Sequence, residues 1–219
     1  MVEDWKNTRK GENTRKRILQ AARMVFSNHP YHSASVRMVG KAGNFDHPII
    51  HYYFPKKAGL FEAVVNELLE EINAFATTWY KDLDTMSTGK SFSLCIDRLF
   101  EFHRKSPDLF RLIMQNTAHV EDYSSFPAVD KYTAFHDGFL NTFQEKITYT
   151  APPEDVRRFV YSFTVVVTNY LGASSTYAQF LGLDPASREY LEWVKETLMF
   201  IFLPRLKKII FYDQQDAKA

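Results

Sequence analysis

The chain has 219 residues, of which 45% are hydrophobic and 24% charged. That balance supports a buried core and excludes a disordered or low-complexity chain. Its single cysteine, Cys95, excludes an internal disulfide and fits a reducing, cytoplasmic setting. Net charge is +1, but residues 1–60 carry 11 Lys and Arg against 4 Asp and Glu, whereas residues 61–219 carry 16 against 22. A basic front on an acidic body suits a polyanion partner for the front alone.

Helical periodicity dominates, and no alternating strand pattern or internal repeat stands out. The polar N-terminus shows no signal peptide, and Lys6, Arg9 and Lys10 could form a groove-seeking arm. A first helix starts near Asn13 or Thr14 and puts Ile18, Ala21, Ala22, Val25 and Phe26 on one face. Asn28, His29 and Pro30 stop it. Ser35 caps a short second helix, and Asp46 with Pro48 opens a short third. A long fourth helix starts near Lys57 and ends around Lys81. Further helices are expected at 91–105, 107–118 and 128–148. An eighth opens at Pro152-Pro153-Glu154-Asp155 and stops at Gly182. A ninth opens at Asp184-Pro185 and runs to about Tyr212, with a kink expected at Pro204. The sequence thus predicts an all-α protein of about nine helices, divided into residues 1–56 and 57–219.

Residues 159–183 carry no charge. Ser162, Thr164, Thr168, Asn169, Ser174, Ser175, Thr176 and Gln179 make them too polar for a membrane span, so no membrane partner is expected. A helix buried between protein surfaces explains the run better. Gly172, Ala173, Ser174 and Ser175 allow close helix approach. Leu191, Val194, Leu198, Ile201 and Phe202 give the ninth helix an apolar face. Together these predict a homodimer through the eighth and ninth helices.

The segment from Ser35 to Phe54 reads as short helix, tight turn, short helix. Val36, Val39 and Gly40 form the inner face of its first helix, and Asn44 falls where the chain must turn into the left-handed region. Phe45 fits the angle between the helices, Asp46 caps the second, and Ile50 faces inward. His47, Ile49, His51, Tyr52 and Tyr53 are left toward the outside, in the position of a helix that enters a major groove.

These residues resemble the tetracycline-repressor (TetR) family of bacterial regulators. Arg15 to Phe26 matches the family's first helix at Ile18, Leu19, Ala21, Ala22 and Phe26. Ser35 to Asp46 follows its second helix and turn without a gap, and His51-Tyr52-Tyr53-Phe54-Pro55-Lys56-Lys57-Ala58-Gly59-Leu60-Phe61 continues it. The resemblance covers about residues 13–65. Asn44 stands at the usual turn glycine, Pro48 at a small residue, His51 at a tyrosine, and the recognition helix has no Lys or Arg.

The resemblance implies an N-terminal three-helix DNA-binding domain, a C-terminal helical effector-binding and dimerisation domain, and double-stranded DNA as partner. It implies that Ser35 and Arg37 face phosphates and that His47, Ile49, His51 and Tyr52 face bases or groove-edge phosphates. Tyr53 and Lys57 would anchor the DNA backbone, and Asp46 joins the same set.

A small, largely apolar effector is expected to bind behind this domain and release a repressor from a palindromic operator. Aromatic residues are 16% of the chain. Trp79, Phe102, His103, Phe110, Met114, Tyr132, Phe135, Phe139, Tyr161 and Asn169 are the candidate pocket walls. Asn169 stands out as an amide in an uncharged helix. His103, His119 and His136 show no metal-ligand spacing, and no Gly-rich phosphate loop appears, so no catalytic residues, metal or cofactor are expected. The rival is an architectural DNA-binding protein without a ligand, which the bulk of the body disfavours.

Overall fold

The computed structural model describes residues 9–83, 85–118 and 126–211. Ten helices appear among them, in the order α1 (Arg9–Asn28), α2 (Val36–Gly43), α3 (His47–Tyr53), α4 (Lys57–Trp79), α5 (Thr88–Lys105), α6 (Asp108–Ala118), α7 (Val129–Lys146), α8 (Pro153–Gly172), α9 (Ser174–Leu181) and α10 (Arg188–Ile210). No described helix is long and apolar enough to cross a membrane. Lys6 and His119 lie outside the described residues.

Helix α1 forms because an apolar stripe recurs at helical spacing. Ile18, Leu19, Ala22 and Phe26 are each 1% exposed or less, and α1 packs on α2, α4 and α6. It therefore touches the helix-turn-helix on one side and the body on the other. Helix α8 is the central strut of the body and contacts α6, α7, α9 and α10, while α5 packs on α10 and α4. The buried residues of both parts form one continuous apolar cluster.

One expected helix is two. The run expected from Pro152 to Gly182 breaks at Ala173, whose φ of −108° and ψ of 30° leave the helical region, so ten helices replace nine. The break lies beside a close packing contact. A Cβ on Gly172 would lie 2.7 Å from the carbonyl oxygen of Phe110 and 3.2 Å from Cβ of Met114. Gly172 thus lets the end of α8 rest directly on α6, inside one chain. The close approach read from its small size belongs to the subunit core.

The last helix behaves similarly. Val194, Leu198 and Phe202 are 4% exposed or less, so three of the five residues expected at a dimer face are sealed within the chain. Helix α10 starts at Arg188, where the Ser187 side chain accepts a hydrogen bond from the Tyr190 N–H, and it continues through Pro204 to Ile210.

Candidate nucleic-acid interface and ligand cavity

The turn between α2 and α3 is built by four residues. Ser35 caps α2 by accepting the Met38 N–H at 3.2 Å. Asn44 ends it in the left-handed region, with φ 54° and ψ 55°. Gly40 lets α2 close on the turn, because a Cβ there would sit 2.9 Å from the Phe45 carbonyl oxygen. Ile50 is fully buried and fixes the roll of α3. Asp46 precedes α3 but makes no side-chain cap; Pro48, within the first turn, carries no N–H to be capped.

That roll sorts the expected DNA-facing residues. Arg37, Asp46, His47, His51 and Tyr52 are exposed; Ser35, Ile49, Tyr53 and Lys57 are half-buried. Ile49 and Tyr53 pack partly against the core. Burial raises the pKa of the Tyr53 phenol, which lies beside Thr14 of α1. Tyr53 thus braces α3 on α1.

Lys57 departs most from its expected role. Its ammonium donates to the carbonyls of Tyr31, at 2.8 Å, and Ala34, at 3.0 Å, and sits 4.3 Å from the Tyr31 ring centre. Burial lowers its pKa. With two carbonyls and a ring in reach, this cation ties the α1–α2 loop to the start of α4 rather than pointing at a phosphate. Two cations that sequence reasoning passed over lie better. The Arg15 guanidinium is 5.3 Å from the Phe54 ring centre and that of Arg17 is 5.0 Å from the Phe45 ring centre, so they flank the two ends of α3. Their signal was the Arg15-Lys16-Arg17 run itself, which the first-helix pattern absorbed.

Tyr31 joins this unit to the body. Its N–H donates to Oδ1 of Asn116 on α6 at 2.8 Å, and its ring meets Phe26, Phe61 and Phe126. Arg23 of α1 makes a second tie. Its guanidinium donates to Asp108 of α6 at 2.7 Å and to Glu71 of α4 at 3.0 Å, and these carboxylates raise its pKa against the opposing effect of burial.

The body holds a cavity of about 500 Å³ between the far end of α4, the start of α5, the second half of α7, the middle of α8 and the end of α10. Trp79, Tyr80, Phe92, Phe139, Phe143, Phe159 and Phe163 line it, with Cys95, Thr164 and Lys146. Two of its hydroxyls are turned to backbone: Ser91 donates to the Leu83 carbonyl and Thr164 to that of Val160. Burial pushes the Cys95 thiol up to about 12, so it offers no thiolate. The wall is mainly aromatic and aliphatic, with few polar groups.

Only Trp79 and Phe139 of the ten expected wall residues line this cavity. Phe135 meets Phe139 from the other side at 5.0 Å, and Phe102 stacks on Phe75 at 4.9 Å. Phe110 and Met114 support Gly172, Tyr132 packs against Phe126, and His103 lies beside Phe110. Tyr161 donates to the Asp137 carboxylate at 2.9 Å. Asn169 donates to the Val165 carbonyl of its own helix at 2.9 Å, so its amide nitrogen has a partner there. The legible signals for the missed walls were the one-turn pairs Phe139/Phe143 and Phe159/Phe163, each of which puts two rings on one helix face.

Residues 18–64 match the family model of bacterial regulatory proteins of the tetR family. The chain thus carries a tetR-type N-terminal segment. It is also 27% identical over 105 residues to the uncharacterized HTH-type transcriptional regulator YdgC of Bacillus subtilis, a match spanning 47% of this chain and 54% of that relative. Among solved structures, a tetR-family regulator from Streptomyces coelicolor superposes with a TM-score of 0.62 at 18% identity, covering 94% of this chain and 86% of that one. A TetR-family regulator from Agrobacterium tumefaciens gives 0.61 at 16% identity, covering 91% of this chain and 98% of that one. These two are likenesses of fold, and they extend the tetR architecture past the matched N-terminal segment into the body.

Proposed function

We propose that this chain is a tetR-family repressor that binds a two-fold symmetric duplex through α3 and is released by a small, largely apolar effector. The observation that carries the reading is the exposed outer side of α3, with Arg37, His47, His51 and Tyr52 in the open and Arg15 and Arg17 beside its ends. Those cations and Arg37 hold phosphates, and His47, His51 and Tyr52 read bases. Lys57 supports the loop that positions them.

The effector site is the aromatic cavity, whose volume lies in the usual range for small-molecule pockets. It favours a ligand-responsive regulator over an architectural protein. Helix α4 spans 23 residues, roughly 34 Å at the usual rise, with Lys57 at one end and cavity-lining Trp79 at the other. Helix α8 lines the cavity and rests on α6, which grips α1 and Tyr31. An effector that prefers one setting of α4 and α6 shifts the recognition helices by that preference alone.

The partner copy docks on α8, α9 and α10. Phe200 is 83% exposed and Phe180 78%, with Val165 and Ile201 about half exposed. Apolar side chains so placed call for cover, and a stable dimer should bury more than roughly 1,000 Å² there. Residues 1–56 form the DNA-binding unit and 57–219 the effector-binding and dimerisation unit.

Sequencing of random duplexes retained by the purified full chain tests the reading. The expected result is a near-palindrome with half-sites about 34–36 Å apart, one helical turn. Retention without sequence preference would overturn it.

A further inference from the structure

The imidazoles of His47 and His51 lie one turn apart on the exposed side of α3. Their Nε2 atoms are 3.2 Å from each other. Nδ1 of His51 is 3.2 Å from the carbonyl oxygen of Pro55. A carbonyl only accepts, so Nδ1 of His51 carries a proton, and in the neutral ring its Nε2 presents a lone pair. His47 either donates to that lone pair or, with its own proton on Nδ1, aims a second lone pair at the same point.

Two imidazole nitrogens held tetrahedrally about 2.0–2.1 Å from one zinc-like ion are roughly 3.3 Å apart. The observed separation is thus already that of a chelate, with no movement of the backbone. The Pro55 carbonyl supplies a second, independent feature. A metal-bound histidine almost always donates its other ring N–H to a carbonyl or carboxylate, which fixes ring and tautomer. Among the described residues no third His, Cys, Asp or Glu joins the pair, so the remaining coordination positions open to solvent.

We propose that His47 and His51 chelate one divalent transition-metal ion, of the zinc, copper or nickel class, on the outer side of the recognition helix. Imidazole donors select these ions over magnesium and calcium. Water fills the open positions of the ion. The helix has no Lys or Arg, and the ion brings it two positive charges. In the DNA complex, a role that rests on the reading above, a phosphate oxygen or purine N7 can replace that water.

Calorimetric titration of the metal-free full chain with zinc chloride, without DNA and near neutral pH, tests the site. One ion per chain should bind with a micromolar dissociation constant, and magnesium chloride should give no such isotherm. His47→Asn and His51→Asn should each weaken binding at least about tenfold, whereas His29→Asn should not. Both side chains are exposed, so thermal melts of the variants should match the wild type. Absence of zinc binding, or binding of unchanged affinity in either variant, overturns the proposal in favour of a plain His–His hydrogen bond. Failure of DNA binding would leave this titration untouched, and failure of the titration would leave the DNA reading untouched.

Discussion

Lys57 and Arg37 are both cations near α3, and they should fail in different ways. Lys57→Met leaves the Tyr31 and Ala34 carbonyls without their donor, which should cost about 1–3 kcal/mol. Urea unfolding should register that loss. Arg37→Ala should leave the unfolding curve unchanged and weaken binding to all duplexes alike. His103 gives a pH test. Burial, with help from Arg111 and against Asp108, holds its imidazole down at about 4 from the ordinary 6.5. The unfolded chain therefore binds a proton that the folded chain refuses between those values. The stability from this site is complete above about pH 6.5 and is lost as pH falls toward 4. At pH 5 the loss should be about 1–2 kcal/mol, and His103→Gln should flatten the melting-temperature profile by a matching amount. At this scale the sequence was legible where backbone chemistry decides, as at Asn44 and Ser35. It was silent where a long side chain chooses between partners, as at Lys57.

Periodicity located nearly every element, because each buries one stripe and the stripe repeats. It joined α8 to α9 because the residues around Ala173 keep an apolar, helix-compatible pattern through the break. The break falls beside the contact of Gly172 with α6, and no local pattern encodes that contact. Gly172→Ala would drive a methyl group into the Phe110 carbonyl, so it should destabilise the protein by about 1–3 kcal/mol, as overpacking does. Equilibrium unfolding checks this, and unchanged stability would mean that α8 and α6 can separate freely. The cavity was misread for a related reason. Its walls gather parts of five helices: the ends of α4 and α10, the start of α5, the second half of α7 and the middle of α8. Which parts meet is a matter of topology, and of the ten expected residues only Trp79 and Phe139 fall where those parts converge.

For the whole molecule, the basic front and acidic body of the sequence correspond to a recognition unit tied to a helical body by Arg23, Tyr31 and Lys57. In the proposed dimer, Phe180 on α9 and Phe200 on α10, both exposed, dock the second copy. Phe200→Glu should give a monomer by sedimentation velocity at micromolar concentration and should weaken binding to a symmetric duplex, because each half-site then binds alone. On the proposed reading, the exposed side of α3 reads DNA sequence. The most direct test is the affinity of the full chain for its selected duplex against a scrambled one, by fluorescence anisotropy across a range of salt. Binding should be at least about 10³-fold tighter to the selected duplex at physiological salt, falling steeply as salt rises. His51→Ala should remove most of that preference while salt dependence persists. Equal affinity for both duplexes, or a preference that survives His51→Ala and Tyr52→Ala together, would contradict that reading.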